Sequence, residues 1–278
     1  MTILVLAALL WIGSLLAGLL GALTGLGGGV VVVPLLVLGF GVDIRYAMGA
    51  SLISVIATSS GAAAAYVKEG FSNIRIGMFL EIATTAGAIV GAFLAVRLPT
   101  GAIAVIFGCV LIVTALLSLG KAPEPVPDDQ PDPVAQRLRL DSDYPTLAGR
   151  RSYHVHRVPA GFGVMFGAGT LSGLLGIGSG AFKVIAMDHV MKIPFKVSTT
   201  TSNFMIGVTA AASAGIYLRR GFIDPGLAMP VVLGVLLGSV VGTRILMRAR
   251  TAWLRLVFNF VILALGIEMI YGGLTGKL

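Results

Sequence analysis

The sequence predicts an all-α polytopic membrane protein built from two homologous repeats, and three observations predict it. Apolar side chains make up 56% of the 278 residues and charged ones 12%, against roughly 45–50% and about 25% in soluble domains. Charge is also gathered in one place, because residues 121–157 hold 12 of the 32 Lys, Arg, Asp and Glu side chains. Finally, adding 151 to a residue number aligns the second half on the first without a gap, from Ala17/Ala168 to Gly120/Tyr271.

A hydrocarbon core about 30 Å thick takes about 20 helical residues per crossing, so there is room for eight or so spans and no large extramembrane domain. Apolar runs punctuated by Gly, Pro and charge place helices at 3–23, 29–39, 46–67, 76–97 and 101–120. The N-terminal run lacks a basic start and a small-residue cleavage pattern, so it reads as a retained helix and not a signal peptide. Residues 121–158 carry Pro123, Pro125, Pro127, Pro131, Pro133 and Pro145 among mixed charges, and read as an extended loop that buries no core. A second membrane block follows at 159–176, 180–191, 196–218, 226–248 and 251–273. The organisation is thus a first membrane repeat at 1–120, a cytoplasmic Pro-rich charged loop at 121–158 and a second membrane repeat at 159–278. Cys109 lies in an apolar run with no partner at metal-ligand spacing, and reads as packing.

Paired residues include Gly25/Gly176, Gly27/Gly178, Gly29/Gly180, Ser51/Ser202, Thr58/Thr209, Tyr66/Tyr217, Gly87/Gly238 and Arg97/Arg248. Roughly a fifth of the aligned pairs are identical, about double what composition alone gives. The segments 3–39 and 159–191 are too long for one straight crossing, and each is interrupted by a glycine cluster. They read as broken helices. Inside a bilayer an opened backbone is tolerated only where protein or a cavity surrounds it, and paired breaks of this kind point to a transporter's binding site.

Basic residues choose between two orientations. If each broken segment is a re-entrant hairpin, Lys68, Arg75, the central segment, Lys192, Lys196 and the Arg244–Arg255 group share one side, giving 14 against 5; single crossings give 11 against 8. The expectation is therefore inverted halves, with both termini away from the cytoplasm. The net charge of +8 serves topology, since the basic residues form no stripe interleaved with aromatics for nucleic acid.

Gly18-Leu19-Leu20-Gly21 through Gly25-Leu26-Gly27-Gly28-Gly29, followed by Pro34 and the Ser51 helix, form one half of a paired motif. Ser172-Gly173-Leu174-Leu175-Gly176-Ile177-Gly178-Ser179-Gly180, followed by Thr201-Ser202-Asn203, form the other. Together they resemble the TauE/SafE family of membrane transporters, named for sulfite and sulfonate exporters. The resemblance covers nearly the whole chain outside 121–158. It implies a multi-pass protein of the cell inner membrane that carries a sulfur-containing anion such as sulfite or sulfoacetate. The second copy departs from the family pattern at Ser179, Lys183, Asp188 and His189.

The candidate substrate site gathers Gly27, Gly28, Gly29, Ser51, Gly178, Ser179, Gly180, Lys183, Ser202 and Asn203. Each cluster precedes a short helix whose free N–H groups and positive dipole end suit a small oxyanion, although close helix packing would also use glycine. Lys183 follows three residues later, where an unpaired ammonium costs at least roughly 3 kcal/mol. An anionic substrate offsets that, or a structural pair with Asp188 or Glu81. Ser51/Thr58 and Ser202/Thr209 are seven apart, on one helix face in each half, and supply hydroxyls either to substrate or to neighbouring helices. Glu81 and Glu268 are expected near the interface, and Asp188 and His189 at a solvated helix end. Gly87-x3-Gly91 and Gly234-x3-Gly238-x3-Gly242 are small-residue packing faces that also offer a surface for a homodimer.

No cofactor or metal site is expected, and the partners are the small anion and the lipid bilayer. An anion channel or a regulatory membrane subunit is the alternative to a carrier. A serine hydrolase fails, because residue 177 breaks the Gly-x-Ser-Gly pattern and His189 lies about 15 Å from Ser179 along one helix.

Overall fold

The computed structural model describes residues 3–24, 28–68, 72–119, 132–146, 149–246 and 251–277. Helix α1 (Ile3–Thr24) runs without Pro or charge to the first glycine cluster, and α2 (Gly29–Pro34) continues through a π-helical turn at Leu35–Gly39. Proline at 34 supplies no N–H to the α-helical ladder, which suits a local widening there. Helices α3 (Ile44–Lys68), α4 (Ile74–Arg97) and α5 (Thr100–Leu119) complete the first half. Asn73 caps α4 by accepting the Ile76 N–H at 3.1 Å. Pro99 ends α4 by forcing Leu98 into extended backbone.

The second half repeats this order: α7 (Val158–Leu175), α8 (Gly180–Ile185) with its π-helical turn Ala186–Val190, α9 (Phe195–Arg219), α10 (Pro225–Leu246) and α11 (Thr251–Leu274). Among the described residues, Leu4–Gly21, Ile74–Arg97, Thr100–Leu117, Val158–Leu175 and Pro225–Gly242 are long and apolar enough to cross a membrane. Outward-facing Leu4, Ile82, Leu237 and Phe260 are exposed, an apolar exterior that suits lipid. Helices α3 and α9, 25 residues each, are less apolar because their hydroxyls face other helices.

Each broken segment is a hairpin. A Cβ on Gly28 would lie 3.7 Å from Gly18 Cα, and one on Gly13 would lie 3.2 Å from Leu35, so α2 returns along α1. In the second copy Gly161 abuts Met191, and the His156 N–H donates to the Met191 carbonyl at 3.1 Å. Arg45 then reaches the Leu98 carbonyl at 2.8 Å and lies 5.7 Å from the Phe222 ring, which gathers the 40–45, 98–100 and 219–224 turns at one end of the bundle.

The most extensive helix pairings, α1 with α10, α4 with α7, α5 with α11 and α3 with α9, all join one half to the other. Small residues set their spacing. Gly87 and Gly91 sit on the carbonyls of Phe166 and Thr170 of α7, and Gly234 and Gly238 on those of Trp11 and Leu15 of α1, so these two pairs run parallel. Gly101 sits on Gly273 and Gly108 on Gly266, which makes α5 and α11 antiparallel; Gly207 against Ser59 and Gly49 against Phe222 do the same for α9 and α3. Gly87, Gly91, Gly234 and Gly238 of the Gly-x3-Gly faces are thus occupied by helices of the same chain.

The polar segment is also more ordered than an extended loop. Residues 132–157 form α6 (Pro133–Leu138) and the antiparallel pair β1 (Ser142–Thr146) and β2 (Gly149–Tyr153), with Ser142 opposite Tyr153. Four of its side chains, Ala135, Leu140, Tyr153 and Val155, are buried in one cluster with Ile76, Leu80, Met165 and Met191. Asp132 fastens it, accepting from the Val134 N–H of α6 at 2.8 Å and the Val158 N–H of α7 at 3.0 Å. A polar average concealed a short segment whose core is lent by the membrane helices. Pro123, Pro125, Pro127 and Pro131 lie outside the described residues. Cys109 is exposed on α5 and not packed.

Candidate functional site

The two helix breaks meet. A Cβ on Gly29 would lie 3.3 Å from Ile177 Cα and 2.7 Å from Ser51 Oγ. Ser51 Oγ donates to the Gly176 carbonyl at 2.7 Å, so a hydroxyl of the first half holds the broken backbone of the second. Ser202 Oγ donates to the Gly180 carbonyl at 3.2 Å. Gly178, at φ +70°, stands against Val55 and Ile206, and Gly28 against Val235. The positive φ suits glycine, and any Cβ at 178 would meet Ile206 at 2.9 Å. Gly27 lies outside the described residues.

Ser179 also takes a left-handed conformation, at φ +44°. Its side chain caps nothing, and its Oγ, on a residue 3% exposed, has no hydrogen-bond partner among the described residues. A strained residue with an unspent buried hydroxyl at a helix start suits a ligand position. Asn203 is half-buried and takes no part in the bonds that join the breaks. Of the predicted residues, Gly29, Ser51, Gly178, Ser179, Gly180 and Ser202 are thus drawn together.

Lys183 is one helical turn beyond the break and 0% exposed. Its ammonium donates to Thr209 Oγ1 of α9 at 2.5 Å, and Thr209 Oγ1 donates to Glu81 Oε1 of α4 at 2.6 Å. Thr85 donates to the same Glu81 oxygen at 3.0 Å, while Glu81 Oε2 has no partner among the described residues. Glu81 is 6% exposed, enclosed by helices and not at a solvated surface as expected of an interfacial acid; Glu268 is exposed. Two opposite charges in a dry interior must be joined, and one hydroxyl joins them across three helices. The charge pairing within reach of Lys183 is therefore Glu81. Asp188 instead lies 3.6 Å from His189 and is itself buried, not solvated.

Sequence reasoning missed Asn73. Besides capping α4, its backbone N–H donates to Thr201 Oγ1 at 3.0 Å and its Nδ2 donates to the Leu140 carbonyl at 3.2 Å and the Tyr153 hydroxyl at 2.7 Å. It ties the folded polar segment to α4 and α9. A lone Asn ahead of an apolar run signals a cap, and nothing more is legible without the tertiary contacts. A cavity of about 400 Å³ lies elsewhere, lined by Val37, Gly41, Asp43, Thr100 and Lys277 at the opposite end from Asn73.

An apolar-surfaced helical bundle with paired broken hairpins and a polar, charge-bearing centre defines a multi-pass membrane transporter. The chain belongs to the sulfite exporter TauE/SafE family, whose model matches residues 10–269. A probable membrane transporter protein of Bacillus subtilis (strain 168), YunE, is 27% identical over 268 residues, 94% of this chain and 96% of that protein. A second from the same organism, YdhB, is 27% identical over 230 residues, covering 82% and 86%. A probable membrane transporter protein of Xylella fastidiosa (strain 9a5c) is 24% identical over 263 residues, covering 93% and 92%. No solved structure matches the chain.

Proposed function

We propose that the protein is a secondary carrier for a small anion, a sulfur oxyanion or organosulfonate such as sulfite or sulfoacetate, bound where the two broken helices meet. The meeting of Gly29 with Ile177, beside the unspent hydroxyl of Ser179, carries the reading. The starts of α2 and α8 offer backbone N–H groups there, and Lys183 adds positive charge one turn below. Alternating access then follows from halves that are inverted copies, with both termini away from the cytoplasm. The antiparallel approach of the equivalent pairs α5/α11 and α3/α9 supports inversion, since helices related by an axis along the membrane normal would run parallel.

Thermal-shift measurements on the purified protein test it against sulfite, thiosulfate, sulfoacetate, taurine, sulfate, phosphate and carboxylates. A ligand at about 100 times its Kd stabilises the folded state by about 2.7 kcal/mol. Sulfur oxyanions or sulfonates are expected to raise the melting temperature, and Ser179→Ala, which removes only the unspent hydroxyl, to reduce that shift while the protein stays folded. A shift given by carboxylates or phosphate alone defeats the substrate class.

A further inference from the structure

We propose that Glu81, joined to Lys183 through Thr209, is the proton-carrying group that couples anion movement to a proton gradient. The inference rests on the anion reading above and adds the coupling ion. Its basis is geometric: a carboxylate from α4, a hydroxyl from α9 and an ammonium from α8 form one buried chain, and Glu81 Oε2 is left without a partner among the described residues.

Charge balance gives the mechanism. With the site empty, the ammonium of Lys183 and the carboxylate of Glu81 cancel. A bound monoanion adds one negative charge to an interior where net charge is costly. A proton from water on the loading side forms an O–H bond at Glu81 Oε2 and restores neutrality, with no change of oxidation state. On the far side the anion leaves, the O–H bond breaks, the proton passes to water, and Glu81 again balances Lys183. One proton therefore travels with each monoanion, in the same direction.

Other titratable groups on the elements packed against α4 do not serve. Arg157 starts α7, Lys196, Arg219 and Arg220 sit at the ends of α9, and Asp188 and His189 face each other beyond α8. Tyr217 donates to the Gly173 carbonyl at 3.1 Å.

The test uses the full chain in proteoliposomes, with radiolabelled isethionate and methanesulfonate, both monoanions that take up no proton near neutral pH. Wild type is expected to exchange at least one of them across the bilayer, and to accumulate it several-fold when the outside is made acidic. A protonophore should erase that accumulation. Glu81→Gln should exchange the anion but show no response to the gradient. Should that variant not fold, dicyclohexylcarbodiimide on the wild type is the second measurement, with an adduct at Glu81 that increases as pH falls and as isethionate is added. Absence of any exchange by wild type overturns the anion reading and the coupling with it. Exchange that ignores the gradient overturns the coupling alone. A gradient response retained by Glu81→Gln, or no adduct at Glu81 at any pH, overturns the assignment to this residue.

Discussion

The two halves share a scaffold and differ in their charge. In the second half Lys183 reaches Thr209, which reaches Glu81 of the first. The equivalent positions are Val32, Thr58 and Val232. Thr58 Oγ1 donates to the carbonyls of Ser54 and Val55 on its own helix, 2.9 and 3.2 Å away, and joins no other helix among the described residues. The break differs likewise: Gly28 is right-handed at φ −62°, whereas its counterpart Ser179 is left-handed at φ +44° with an unspent hydroxyl. Duplication thus supplies two hairpins and their packing, while a few substitutions in one copy supply the ionic centre. Symmetry governs the frame and its loss governs the chemistry.

The largest expected effect breaks the charged side. Lys183→Met leaves Glu81 buried and unpaired, a loss of roughly 3–5 kcal/mol by analogy with other broken buried pairs. The double change Lys183→Val with Glu81→Val copies the apolar side and should return most of that stability while abolishing transport. Melting temperatures of the two variants in one detergent settle the matter, and equal destabilisation of both would mean that the pair is not what holds these helices.

A smaller effect examines the shared frame. Gly91→Ala on α4 and Gly238→Ala on α10 each force a methyl group onto a facing backbone carbonyl, of Thr170 and Leu15 respectively, and each should cost about 1–3 kcal/mol. Gly167→Ala meets nothing within 4 Å and should be neutral or slightly stabilising. Unequal costs for Gly91 and Gly238 would show that the two parallel pairs carry different shares of stability.

The smallest effect concerns the folded polar segment that joins the two halves. Burial tends to raise the Asp132 carboxyl, but the N–H groups of Val158, Val134 and Ala135 outweigh it and hold the group below its ordinary 3.8. A depressed folded value contributes stability at neutral pH that is lost as pH falls below about 4. Burial likewise pushes the Tyr153 hydroxyl up to about 12, so its contribution is full below about 10 and fades as pH rises past that. Hydrogen-exchange protection of residues 132–146 and 149–157, taken relative to the intrinsic rate at each pH, should therefore fall in acid, and Asp132→Ala should cost about 1 kcal/mol at neutral pH while removing that acid dependence. Unchanged acid dependence in the variant assigns it to another carboxylate.

Much of this was written in the sequence. Composition and run length determined the lipid-facing helices, because hydrocarbon tolerates so few alternatives for the backbone. The repeat offset determined which elements correspond, and the glycine clusters marked both breaks, because an opened helix in a membrane needs close neighbours. Lys183 announced itself as a cost to be offset. What offsets it was decided by tertiary structure alone: Glu81 is 102 residues away, and only the packing of α4 and α8 on α9 puts Thr209 between them. Packing also decided that the Gly-x3-Gly faces meet partners within the chain, and that a polar segment borrows a core from Ile76, Leu80 and Met191. Local pattern fixes which surfaces are apolar or small, since that depends on neighbours along the helix. Which surface meets which depends on all the helices at once, and no window of sequence contains it.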